Sequence, residues 1–226
     1  MINITRHQSI FKPSQCRDRI TIIGAGATGS RVFMSLVELG FTKITVIDFD
    51  VVESHNLANQ AFLHKHIGEL KVDALYDLFK LKVGNTPPDS MKFIEGRVDK
   101  DTPQDQIEGV VFLLTDTMAS RREIFETCLK DNLGVSYVVE TRMASSYGNV
   151  NTFDPNVPSQ ADAWEGSLIS DEGGEVSPCG QSISVGATAS LIANLAVWQF
   201  ILLHKDRSAH DPNVEIHFHP LMLIGE

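Results

Sequence analysis

The sequence predicts an α/β fold. The expected architecture is a Rossmann-like, doubly wound, mostly parallel sheet flanked by helices, with a C-terminal antiparallel strand extension. Three observations carry this expectation. The β-branched run Ile20, Ile22, Ile23 reads as a buried strand and leads into Gly24-Ala25-Gly26-Ala27-Thr28-Gly29, a G-x-G-x-x-G turn. A helical apolar pattern follows from Gly29 to Leu39, carried by Val32, Phe33, Leu36 and Val37, and Gly40 closes it. A second apolar strand, residues 42–49, then ends near Asp48, 19 residues after Gly29. Strand, glycine turn, helix and strand with a terminal acid form the context that a phosphate-binding glycine turn requires.

Each glycine has a physical task. Gly24 makes the tight turn, Gly26 lets backbone approach a phosphate, and Gly29 lets the helix lie close to the strand. The helix start aims free N–H groups and a positive dipole end at an anion. Asp48 is placed to hydrogen-bond a ribose hydroxyl. Asp50, two residues on, is a second candidate carboxylate for the nucleotide, with a turn or capping role as its equal alternative. To this point NAD, FAD and ATP fit equally well.

Composition narrows the function classes. The chain has 226 residues, 42% hydrophobic and 21% charged, which suits one domain spanning 1–226. Its formal net charge of −10 argues against a nucleic-acid or membrane-surface binder. No apolar run is read as approaching the roughly 20 residues of a membrane span. Cys16, Cys128 and Cys179 are widely spaced without a C-x-x-C pair, so no zinc is expected. Three cysteines and no signal peptide suggest a reducing cytoplasm.

Further along, residues 1–18 read as an irregular polar arm carrying Arg6 and Lys12. An amide-rich loop with Asn56, Asn59 and Gln60 precedes a helix over 71–82; the structural alternative for this loop is helix capping by Ser54 or Asn56. Lys71 opens that helix against the dipole, a placement favoured when an anion lies nearby. Strands are expected over 92–95, 110–114 and 135–140. Asp116 follows the second of these, at the strand edge where open α/β sheets bind ligands. A helix over 119–132 carries Arg121 and Arg122 at its start. After a further strand over 149–153, the polar span 154–181 is expected to be a mobile crossover loop. An apolar helix over 182–204 with small residues and an edge strand over 214–219 complete the chain. His64, His66, His217 and His219 read as exposed histidines rather than metal ligands.

These motifs, taken in order, resemble the ThiF, MoeB and HesA family, whose fold is shared with ubiquitin-activating enzymes. The matching segments are residues 22–30, residues 46–60 ending in Asn56-Leu57-Ala58-Asn59-Gln60, residues 67–72, residues 114–121, and the late helix from Cys179 to Phe200. The resemblance implies binding of ATP and magnesium and adenylation of the C-terminal glycine of a ubiquitin-like or sulfur-carrier β-grasp protein. It implies Asp48 on the ribose, Asn56 and Lys71 at the phosphates, and Asp116 on the metal. It also implies a homodimer in which Arg6 is lent to the partner's site. Two departures stand out. Asn59 occupies the place of a family arginine, which Arg31 or Arg121 would have to replace, and the paired zinc cysteines are missing. Cys179 falls where some relatives carry a reactive cysteine; a helix N-terminus favours the thiolate, and a buried inert thiol fits the position equally.

The expected chemistry is attack of an ionised carboxylate on the ATP α-phosphorus with loss of pyrophosphate, a reaction that needs positioning and charge neutralisation more than a general base. A NAD- or FAD-linked oxidoreductase shares the glycine turn and Asp48 and leaves Lys71 without a task. A non-catalytic nucleotide-binding interaction module is the third reading, supported by Asn59.

Overall fold

The computed structural model describes residues 2–16, 18–169, 184–206 and 210–225. Eight strands form one sheet in the order β3-β2-β1-β4-β5-β6-β7-β8. The strands β1 (Ile20–Ile23), β2 (Ile44–Asp48), β3 (Lys92–Glu95), β4 (Gly109–Leu113) and β5 (Val135–Met143) pair in parallel. The strands β6 (Tyr147–Phe153), β7 (Asn213–Phe218) and β8 (Leu221–Gly225) add on antiparallel. The chain winds outward from β1 in both directions. The carboxyl ends of β1 and β4 therefore form the switch point at which an open sheet leaves a crevice.

Alternation along each strand divides the core into two layers. Ile22, Val46 and Phe112 face the helices α1 (Gly29–Glu38), α2 (Lys71–Val83) and α5 (Gly186–Lys205). Ile23, Ile47 and Leu113 face α3 (Met118–Ile124), the π-helical turn Phe125–Leu129 and α4 (Pro158–Gly166). Burial on both faces explains why the parallel strands read as continuous apolar runs. The helix expected over 119–132 is thus a short α-helix that widens into a π turn, where Phe125, Cys128 and Leu129 enter the second layer.

Several expectations are corrected. Within the span read as a loop, Pro158 starts α4, and Ala161 and Trp164 bury its inner side; the ring of Trp164 stacks on Phe153 at 5.0 Å. Its composition is polar because only those two side chains are buried. Residues 170–183, which include Cys179, lie outside the described residues. The strand expected at the C-terminal edge is β7, and β8 forms the true edge beyond it. Helix α5 has 20 residues with mean hydropathy 1.6, so it is long and apolar enough to cross a membrane by composition. Here it packs on α1, β5 and β6 and buries Ile192, Ala193, Ala196 and Phe200. His66 is buried rather than exposed: its Nδ1 accepts from Leu63 N–H at 3.1 Å and its Nε2 meets Asp77 at 3.0 Å.

Candidate functional site

The glycine turn forms as its spacing requires. Gly24 takes a left-handed φ of 94°, and a Cβ there would stand 2.8 Å from the Leu114 carbonyl oxygen. At Gly29 a Cβ would fall 1.9 Å from the Gly24 carbonyl oxygen, so helix and turn touch through hydrogen. Gly26 has no atom within 4 Å of a built Cβ. Its side faces the open crevice, a cavity of about 630 Å³ lined also by Asp48, Asp50, Asn56, Asn59, Lys71, Asp116 and Arg121.

Asp48 ends β2 beside the turn. Its carboxylate accepts from Ala25 N–H at 2.6 Å and from Asp50 N–H at 2.8 Å. Burial raises its pKa above the usual carboxylate value, while the Ala25 N–H and the Lys71 charge pull it back. Lys71 opens α2 and donates to Asp50 at 2.6 Å. That ion pair explains how a buried lysine tolerates the start of a helix. Asn56 has a structural duty as well. It lies in the 3₁₀ helix Ser54–Ala58, where Glu53, rather than Ser54 or Asn56, is the cap; the Asn56 carbonyl oxygen of the side chain accepts from Glu53 N–H at 2.9 Å.

Across the cavity, Thr117 caps α3 by accepting from Ser120 N–H at 3.1 Å, and Asp116 stands exposed at the rim. Arg121 is buried and gives Nε and Nη2 to the Thr115 carbonyl at 3.0 and 2.5 Å, with Nη1 on Glu140. Burial lowers the pKa of its guanidinium and Glu140 opposes that; arginine starts high enough to stay cationic. Arg31 is not on the cavity wall: its Nε donates to the Asn59 carbonyl at 3.3 Å from behind. Of the two arginines considered as replacements at Asn59, only Arg121 borders the cavity, and its fork is already engaged. Arg6 is exposed on an arm packed at the far end of α1, where Ile4 faces Gly40 and His7 Nε2 meets the Leu39 carbonyl at 3.3 Å. Helix α1 separates that end from the cavity by about 15 Å along its axis.

Sequence reasoning did not single out Thr115, Ser120, Phe49, Arg97 or Ser184, which also line the cavity, nor Glu140 and Arg142 behind it. Arg97 lies over the Phe49 ring at 5.8 Å. The signal that was available is the alternation Glu140-x-Arg142 at the end of a strand whose Leu113-paired position abuts the switch point.

The described residues contain no cluster of three or more histidine, cysteine or acidic side chains suited to a metal. A magnesium ion held mainly by substrate phosphates and water requires one or two carboxylates, and the exposed Asp116 fits that need.

Comparison with known proteins gives the family and the fold. The ThiF family model matches residues 14–219. Among solved structures, PaaA aligns with TM-score 0.69 and 14% identity, over 95% of this chain and 74% of its own. MccB of E. coli, solved with ATP, aligns with TM-score 0.71 and 14% identity, over 98% of this chain and 68% of its own. MccB solved with MccA aligns with TM-score 0.73 and 14% identity, over 98% of this chain and 69% of its own. At such identity these likenesses speak for the fold.

Proposed function

The chain belongs to the ThiF family, and from that premise we propose that it adenylates a substrate carboxylate with ATP. The observation that supports the reading best is convergence. Gly26, Asp48, Lys71 and Asp116 come from four separate segments and line one cavity at the switch point of the sheet. Gly26 and the start of α1 would receive phosphate, Asp48 the ribose, and Asn56 and Lys71 the phosphates. Magnesium, where bound, would be held by Asp116 and would neutralise phosphate charge. The substrate carboxylate oxygen attacks the α-phosphorus, the bond to the bridging oxygen breaks, and pyrophosphate leaves. Lys71 offsets the charge that builds on the phosphates.

As acceptor we favour the C-terminal glycine of a ubiquitin-like or sulfur-carrier β-grasp protein. A short peptide is the competing acceptor, because MccB has been solved with MccA and N-formylated MccA. Arg6 reaches a site only if a second copy presents it, so the reading includes a homodimer. ATP–pyrophosphate exchange tests the proposal, with a small protein ending in Gly-Gly in one arm and a peptide carboxylate in the other. Exchange lost in Asp116→Ala is expected. A verified acceptor that gives no exchange, together with unchanged nucleotide binding by Asp116→Ala, would overturn it. A nucleotide-binding module without turnover is the second reading, favoured by Asn59 and by the engaged fork of Arg121; ATP binding without exchange on any acceptor would select it.

A further inference from the structure

Behind the cavity wall lies a cluster that the nucleotide reading does not use. Glu140 is 0% exposed. It pairs with Leu113 on one side of β5 and with Asn151 on the other, so it sits beside the last residue of β4. Its Oε1 accepts from Arg121 Nη1 and from Arg142 Nε at 2.9 Å; its Oε2 accepts from Asn151 Nδ2 at 2.6 Å and from Arg142 Nε at 3.1 Å. Burying a carboxylate is costly, and an apolar residue would serve stability as well in many cores. What the carboxylate achieves here is orientation. It holds Arg121, which places two N–H groups on the Thr115 carbonyl, and Thr115 immediately precedes Asp116. Arg142 leads away from the cavity, to the Ser167 carbonyl at 2.8 Å and its hydroxyl at 3.0 Å.

We infer that Glu140 is a positioning residue: through Arg121 it fixes the Thr115 carbonyl and thereby the aim of Asp116 into the cavity. This rests on the nucleotide reading above. The two arms of the cluster separate positioning from mere support. Arg121 leads to Asp116, whereas Arg142 leads to the end of α4.

Calorimetric titration with ATP, once with magnesium and once with EDTA, tests the inference alongside hydrogen exchange of the 114–121 segment without ligand. Glu140→Gln should weaken binding of ATP with magnesium about tenfold, the scale typical of lost outer-shell partners, and leave metal-free ATP within about twofold. It should also speed exchange over 114–121. Arg142→Met should lower the melting temperature without changing the ratio of the two affinities. The inference is overturned if Glu140→Gln leaves ratio and exchange as in the unmodified protein. It is equally overturned if Arg142→Met shifts the ratio as much. Should Glu140→Gln not fold, Arg121→Lys, which keeps the charge and loses the fork, decides by the same ratio. Should the unmodified protein bind no ATP, the nucleotide reading fails, and exchange over 114–121 alone decides the role of Glu140.

Discussion

The Lys71 ammonium, 7% exposed, meets the Asp50 carboxylate, 48% exposed, at 2.6 Å. The lysine is held inside the cavity wall, and its counter-ion is half in water. An incoming phosphate can therefore share or replace Asp50 without moving Lys71. Removing the ammonium should cost nucleotide affinity more than stability. Lys71→Met is expected to weaken ATP binding tenfold or more, about 1.4 kcal/mol at the least. Its methylene stem is preserved, so the melting temperature should move by only a few degrees. Fluorescence titration and a thermal melt check both halves; equal ATP affinity would remove Lys71 from the phosphate site.

Gly26 and Gly29, three residues apart, should respond oppositely to an added methyl. Gly29→Ala would drive a methyl to 1.9 Å from the Gly24 carbonyl oxygen, which backbone must relieve. Overpacking of that kind costs about 3 kcal/mol or more where nothing can yield. Gly26→Ala meets no atom within 4 Å and should fold normally. Its methyl would instead occupy the approach of a phosphate, so nucleotide affinity should fall by about tenfold or more. Denaturant melts and nucleotide titrations on the pair give the readout. A stable Gly29→Ala, or a Gly26→Ala with full affinity, would break the assignment of tasks within the turn.

How much of this was legible in the sequence follows from where the determining contacts lie. The βαβ unit and Asp48 were legible because strand pattern, glycine turn and terminal acid lie within about thirty residues of one another. Lys71 and Asp116 were legible from their positions at element ends, where a charge needs a reason. Glu140 was not, because its partners come from residues 121, 142 and 151 and only the folded sheet assembles them. Helix α4 was hidden by a polar composition that buries only Ala161 and Trp164. Strand β8 was hidden because Leu221, Met222, Leu223 and Ile224 are all exposed, so no alternation marks an inner face. His66 looked like a surface residue because its partner Asp77 lies a loop and a helix turn away.

The carboxylates should give opposite pH dependences. Burial raises the pKa of Asp48 above the usual 3.8, so the native state holds that proton more tightly than the unfolded chain. Its favourable contribution is complete below 3.8 and is lost as pH rises through the raised value. Lys65 and His66 lower the pKa of Asp77, so its contribution is present above 3.8 and is lost as pH falls through the depressed value. Urea unfolding between about pH 3 and pH 7 should show this. As pH rises, the unmodified protein should lose ground to Asp48→Asn and gain ground on Asp77→Asn. The same sign for both variants would contradict the environments described for these two acids.

Thiol reactivity offers a test that needs no nucleotide. Burial, helped by Asp18, pushes the Cys16 thiol up to about 11, and burial also raises Cys128. At pH 8 only about one part in a thousand of Cys16 would be thiolate, the reactive form. Iodoacetamide at that pH should leave Cys16 and Cys128 of the native protein unmodified for a time that fully labels the denatured chain, with peptide mass spectrometry as the readout. Fast native labelling at Cys179, lost in Cys179→Ala, would select the reactive reading of that thiol; its absence would select the buried, inert one. If Cys179 takes up the activated acceptor, a conjugate released by reductant should form with ATP and acceptor and be missing from Cys179→Ala. Rapid labelling at Cys16 would mean instead that the N-terminal arm leaves its packing against Gly40 far more often than a buried thiol permits.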